Sequence, residues 1–130
     1  MVIVGTAGND SLAGDAADDV ISGLIGNDTL LGGGGGDNIF GGEGNDSLAG
    51  QSGNDLIFDT SGSDTLSGGD GDDTIFGAAF GVIDGGIGND SITASGQGNT
   101  IAGGAGDDVI TVGIANVVTT GSGIDTIILP

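Results

Sequence analysis

The chain has 130 residues, 32 of them glycine and one proline, with 36% hydrophobic content, no Lys, Arg, His or Cys, and 19 acidic side chains that set the formal charge at −19. That charge excludes nucleic acid as a partner, and without His, Cys or Lys the usual nucleophile–base pairs cannot be built, so no enzyme is expected. Nothing cationic in the side chains answers the carboxylates, so their partner has to come from solution, and a hard divalent cation is the obvious candidate.

The length fits a single domain, 1–130. The start, Met1-Val2-Ile3-Val4, has no basic region and too short an apolar run for a signal peptide. No apolar segment is long enough to span a bilayer, so membrane insertion is not expected. From Gly5 to Ile128 the sequence divides into 14 units, twelve of nine residues and two of eight. The type unit is Gly41–Ala49, GGEGNDSLA. Its glycines at the first, second and fourth places suit backbone conformations that a side chain disfavours. Asn45 at the fifth place is expected to tolerate the left-handed region. Strands of about three residues should therefore alternate with six-residue turns.

Two columns run through the units. The eighth place reads Leu12, Ile21, Leu30, Ile39, Leu48, Ile57, Leu66, Ile75, Ile83, Ile92, Ile101, Ile110, Val118 and Ile127, all aliphatic. The sixth place reads Asp10, Asp19, Asp28, Asp37, Asp46, Asp55, Asp64 and Asp73, then a gap, Asp90, Asn99 and Asp108, a second gap, and Asp125. A unit with one large inward aliphatic cannot fold alone and has to stack on copies of itself. Acids at fixed spacing in such a pattern argue against a disordered acidic tail.

These columns resemble the RTX (repeats-in-toxin) nonapeptide, G-G-x-G-x-D-x-aliphatic-x, over nearly the whole chain. The resemblance implies an all-β fold, a right-handed parallel β-roll (β-solenoid) with two nonapeptide repeats per 18-residue turn. About seven turns would span residues 5–128, a rod roughly 34 Å long. It also implies Ca²⁺ held between turns by the sixth-place aspartates Asp10, Asp19, Asp28, Asp37, Asp46, Asp55, Asp64, Asp73, Asp90, Asp108 and Asp125, with backbone carbonyls completing the coordination. Mg²⁺ fits worse, because it demands tight octahedral geometry and retains its waters.

With two units per turn, odd and even units lie on opposite edges. The even edge stacks Asp19, Asp37, Asp55, Asp73, Asp90, Asp108 and Asp125 without a break, giving six between-turn positions. The odd edge stacks Asp10, Asp28, Asp46 and Asp64, giving three, and then fails at Gly77–Asp84, at Asn99 and at Val112–Thr119. About nine Ca²⁺ ions would then bring about +18 against the −19 of the chain. A carboxylate between two turns is expected to give one oxygen to each neighbouring ion.

Other acids read as ordinary loop chemistry. Asp15, Asp59, Asp70 and Asp84 lie outside the column and are expected to be solvated turn residues. Asp18, Asp72 and Asp107 share the fifth place with asparagines and are expected to serve turn geometry. Asp59-Thr60-Ser61-Gly62 matches the aspartic-protease signature, but it heads an ordinary unit and has no second copy. The Asn-Asp-Ser and Asn-Asp-Thr sequons at Asn9, Asn27, Asn45 and Asn89 arise automatically from the repeat.

On the outer faces, Phe40, Phe58 and Phe76 occupy the ninth place of successive even units and should form a ladder. Ser11, Thr29, Ser47 and Thr65 should form a hydroxyl column on the opposite face. The resulting expectation is a secreted calcium-binding β-roll that folds on Ca²⁺ binding. Its role would be structural, with end-to-end self-association through Met1–Val4 and Thr126–Leu129 and lateral contacts through the phenylalanines. Two alternatives stay open: a repeat module of a larger type I-secreted toxin, protease or adhesin, and an ice- or surface-binding solenoid using the hydroxyl face. Type I secretion is implied by the resemblance, although the C-terminal signal of that route does not follow the repeats, which run to Ile128 with only Leu129-Pro130 beyond.

Overall fold

The alternation of each unit, aliphatic at the eighth place between outward neighbours, is that of a strand with one buried face. In the computed structural model, which describes Met1–Pro130, it produces fifteen strands and no helix. In chain order they are β1 (Val2–Val4), β2 (Ser11–Ala13), β3 (Val20–Ile25), β4 (Thr29–Gly34), β5 (Asn38–Glu43), β6 (Ser47–Ser52), β7 (Leu56–Asp59) and β8 (Thr65–Asp70). Then follow β9 (Thr74–Gly77), β10 (Val82–Ile87), β11 (Ser91–Ala94), β12 (Thr100–Ala105), β13 (Val109–Val112), β14 (Val117–Ser122) and β15 (Thr126–Ile128).

Odd-numbered strands form one eight-stranded parallel sheet and even-numbered strands a seven-stranded one, each strand pairing with the next but one. This is a β-solenoid of about seven coils, with one strand of each sheet per coil. The ladder steps by 18 residues, as in Ile21 opposite Ile39 and Leu30 opposite Leu48. Across the two short units the step is 17, with Leu66 opposite Ile83 and Ile101 opposite Val118. The missing residue is absorbed in the turn, because a one-residue slip in the ladder would turn every inward side chain outward. The eighth-place aliphatics from Ile21 to Ile110 meet between the sheets as a single dry core, with Ile3, Leu12 and Val118 half-buried at its two ends. β1 is thus the strand of a preceding unit, as its sequence indicates, with Ile3 opposite Ile21.

Three local expectations are corrected. Most interior strands are six residues long, since the backbone keeps its ladder through the third place of the following unit; β4 runs from Thr29 to Gly34 with Leu30 and Gly32 both buried. The first place is therefore an inward position of a strand and has no left-handed backbone. Positive φ falls instead at second and fourth places, for example Gly42 (118°) and Gly44 (137°), with the fifth-place Gly98 (77°) the exception. Asn45 does not take the left-handed region either. Its Oδ1 accepts the N–H of Ser63 one coil on, at 2.9 Å, and the neighbouring Asn27 accepts that of Asn45 in the same way. The fifth place is a side-chain ladder. Asp18, Asp72 and Asp107 take part in it, accepting from Gly36, Asn89 and Ile124.

The phenylalanine ladder forms as expected, with ring centroids 6.3 Å apart for Phe40–Phe58 and 5.7 Å for Phe58–Phe76. Ser11, Thr29, Ser47 and Thr65 stand in register on the exposed side of the other sheet.

Candidate metal centres

The sixth-place aspartates sit directly before the strands of their units and continue the alternation, so their side chains turn inward with the eighth place. Asp19, Asp28, Asp37, Asp46, Asp55, Asp64, Asp73, Asp90 and Asp108 are buried, while Asp10 and Asp125 in the outer coils are half-buried. They are fixed by one another's backbones. Along the even edge Asp55 Oδ1 accepts the N–H of Asp37 at 2.8 Å, Asp73 Oδ1 that of Asp55 at 2.8 Å, and so on to Asp125, which accepts from Asp108. Along the odd edge the same bond joins Asp10 to Asp28, Asp28 to Asp46 and Asp46 to Asp64. The two separate edges follow from this ladder.

With Oδ1 accepting a backbone N–H along the ladder, the second carboxylate oxygen is the one left without a protein donor in most of these residues; in Asp10 and Asp19 it accepts the N–H of Thr6 and of Asp15. In Asp28, Asp37, Asp46, Asp55, Asp73, Asp90 and Asp108 that oxygen, Oδ2, is buried without a hydrogen-bond partner. It points at the first-place glycine of its own unit. Beside Gly50, a Cβ would collide with Asp55 Oδ2 and, at 2.7 Å, with the Gly68 carbonyl oxygen of the next coil. The same pairing of a carboxylate oxygen with a first-place carbonyl one coil on recurs beside Gly5, Gly14, Gly23, Gly32, Gly68, Gly85 and Gly103. Glycine is required there for space: a methyl group would fill the cradle. Two negative oxygen ends meeting in a buried space with no proton between them is unfavourable unless a cation joins them. An all-oxygen donor set of carboxylates and carbonyls is the chemistry that Ca²⁺ takes.

Asparagine at the same place shows what is missing. Asn99 is buried in the odd-edge ladder, where its Oδ1 accepts the N–H of Gly81 at 2.8 Å. Its Nδ2 donates to the Ala78 carbonyl at 3.0 Å. Asn116, which the short unit Val112–Thr119 places in the next rung, accepts from Asn99 N–H and donates through Nδ2 to Gly96 and Gly113 carbonyls at 2.9 and 3.1 Å. An amide brings its own positive hydrogen; an ionised aspartate has none. The gap read at this unit is thus a filled rung, and the signal was Asn116 itself, displaced one place by the deletion.

Burial controls the electrostatics. Desolvation is the first cause of the raised pKa of Asp73, pushed up to about 7, and of Asp90, pushed up to about 6. It also raises Asp37, Asp55, Asp64 and Asp108. Asp19 goes the other way, because the α-ammonium of Met1 stands 2.6 Å from its Oδ1.

Asp59 overturns the reading of it as a solvated turn residue. It replaces a first-place glycine, and that place is inward, so its carboxylate is carried into the roll and is 1% exposed. Its Oδ2 lacks a partner and meets Asp46 Oδ2 beside Gly41. Carboxylate oxygens of Asp46, Asp59 and Asp64 all lie within 4.8 Å of one another. Burial first, and then the charge of Asp64, raise the Asp59 pKa to about 8. The available signal was the break in the first-place glycine column. Asp15, Asp70 and Asp84 are exposed, as expected for turn and surface residues.

Stacked carboxylates, seven of them with a buried oxygen that has no hydrogen-bond partner, spaced along a parallel solenoid, define a cation-binding β-solenoid. A family model described as the RTX calcium-binding nonapeptide repeat matches the chain in four copies, at residues 2–30, 31–58, 49–80 and 84–116. The chain belongs to the RTX calcium-binding nonapeptide-repeat family. A search of curated proteins finds no match.

Proposed function

We propose that this protein is an extracellular calcium-binding β-roll that folds as it binds Ca²⁺ and serves a structural role. The observation that carries the reading is the set of nine first-place cradles, beside Gly5, Gly14, Gly23, Gly32, Gly41, Gly50, Gly68, Gly85 and Gly103. At each, a sixth-place aspartate oxygen faces an oxygen of the next coil. Nine ions would bring +18 against −19, which supports this count.

Each residue type has a defined part. The N–H ladder holds Oδ1 and so aims Oδ2. The first-place glycine leaves the space open, and the next coil supplies the opposing oxygen. Asp10, Asp19, Asp28, Asp37, Asp46, Asp55, Asp64, Asp73, Asp90, Asp108 and Asp125 form this machinery, with Asp125 positioned as the outermost rung. Bound Ca²⁺ neutralises columns of like charge spaced about 4.8 Å apart. Since each cradle is made by two coils, the unfolded chain has no site, and binding and folding become one event. Dependence on calcium at millimolar level suits an extracellular module.

Circular dichroism in chelator and in millimolar Ca²⁺, with the ions counted by calorimetry, tests the reading. At pH 8 the expected result is a β-rich spectrum only with calcium and about nine ions per chain. A full β spectrum in chelator would overturn it.

The same reading extends to self-association. β1 and β2 at one end and β14 and β15 at the other each pair on one side only, leaving open ladder edges beside exposed Val2, Val4, Ile127 and Ile128. A second copy joining there would continue both sheets and would not close on itself, giving a filament. Light scattering and microscopy of the calcium-loaded protein decide this; a strictly monomeric species at high concentration counts against it.

A further inference from the structure

The cradle beside Gly41 differs from the other eight. Elsewhere the free carboxylate oxygen meets a neutral backbone carbonyl, as Asp55 Oδ2 meets the Gly68 carbonyl. One coil above Gly41 the first-place residue is Asp59, and its side-chain Oδ2 is the nearest atom to the cradle, beside Asp46 Oδ2. Asp59 closes β7 and pairs with Gly77 of β9, which fixes its backbone. Its Oδ1 accepts only the N–H of Ser61, at 3.3 Å, and its buried Oδ2 has no partner. Asp64 enters from the same coil, its Oδ1 accepting the N–H of Asp46 at 3.0 Å. No side chain of this protein carries a positive charge to answer these three.

The next position on this edge closes the column. The atoms nearest to Gly77 are methyl and methylene groups of Ile83 and Leu66, where the other cradles have oxygens. A side chain at position 59 also fills the space that glycine would leave for a cradle of Asp64. The odd edge therefore loses one ordinary position and concentrates its last three carboxylates in one place.

The geometry points to a distinct high-charge cation site formed by Asp46, Asp59 and Asp64, which fills before the repeat sites and selects trivalent over divalent oxygen-seeking cations. The inference rests on the calcium-binding reading of the chain. A carboxylate at this place adds, once ionised, a full negative charge at contact distance. Coulomb attraction scales with the product of charges, so the gain is larger for an ion of higher charge. Carboxylate oxygens 4.8 Å apart or less suit one ion with metal–oxygen distances of about 2.3–2.6 Å.

The test uses the full chain, Asp59→Asn, which removes one charge at constant shape, and Asp59→Gly, which restores the ordinary first place. Calcium calorimetry of the wild type should resolve one tight ion ahead of a weaker set. Asp59→Asn should weaken that ion by at least about tenfold while the others are unchanged, and Asp59→Gly should move it into the weaker class. With La³⁺ as probe, one equivalent should stay on the wild type against excess Ca²⁺ and none on Asp59→Asn. Superimposable titrations of wild type and Asp59→Asn, or equal La³⁺ retention, overturn the site and leave repeat binding standing. A wild type that binds no calcium fails the underlying reading instead. Should neither variant give the β spectrum with calcium, La³⁺ retention by the wild type decides alone, and no retained equivalent overturns the site.

Discussion

The side-chain amide of Asn99 donates to the Ala78 carbonyl at 3.0 Å, so a buried sixth-place residue that is not an acid supplies its own bridging hydrogen. Asp55, on the opposite edge, has the same backbone bond to Oδ1 but an Oδ2 with no partner. On the proposed calcium-binding reading, the contrast between these residues would separate cation-dependent from cation-independent stretches of one roll.

Replacing Asp55 by Ala should remove the cradle beside Gly50 and release the N–H of Asp37, weakening calcium binding along the even edge. Asn99→Ala should leave the calcium stoichiometry unchanged and cost about 1–3 kcal/mol of stability, because the N–H of Gly81 and the Ala78 carbonyl lose their partner. Calorimetry of both variants with thermal melts checks this. Equal losses of calcium would mean that the edges are not independent.

Asn99→Asp should destabilise the roll without adding a calcium site. The new carboxylate oxygen would face the Ala78 carbonyl, and the first place of its unit is the buried Ala94, whose Cβ already occupies the cradle space. A lower melting temperature at saturating Ca²⁺ is expected. A gain of one bound ion would show that glycine at the first place is not needed.

Two alanine substitutions isolate the steric role of that glycine. At Gly50 a Cβ would meet Asp55 Oδ2 and, at 2.7 Å, the Gly68 carbonyl, so Gly50→Ala should abolish the site. At Gly34 the nearest atom lies at 3.5 Å, so Gly34→Ala should bind calcium as the wild type does. Matching calcium isotherms for the two would refute the cradle.

Acid should partly replace calcium. Without metal, Asp90, Asp73 and Asp59 have folded pKa values of about 6, 7 and 8, against about 4 in an unfolded chain. A raised folded pKa means that the proton favours the fold. That contribution is complete below about pH 4 and is lost as pH rises through 6 to 8. Metal-free protein should therefore give a stronger β spectrum at pH 5 than at pH 8, and Ca²⁺ binding near pH 7 should release protons. A metal-free spectrum that strengthens toward pH 8 would contradict the buried position of these groups.

The nine-residue period of the sequence determined the order of the strands, the inward aliphatic column that packs from Ile21 to Ile110 and the division into two edges, because each depends on side-chain alternation along one short segment. It also identified the sixth-place acids as the cation ligands to test. Only the tertiary structure decided which way the first place faces. Read locally, Gly50 is a turn residue. Stacked, it is the gap between Asp55 Oδ2 and the Gly68 carbonyl, 18 residues on. Asp59 looked like a harmless departure at a turn position, and the coil carried it into the same space as Asp46 and Asp64. Asn116 stands fifth in its short unit, and the ladder places it in the sixth-place rung next to that of Asn99. In each case the deciding contact joins residues of different coils, and what a side chain meets there is set by the stacking of the coils, which no nine-residue pattern contains.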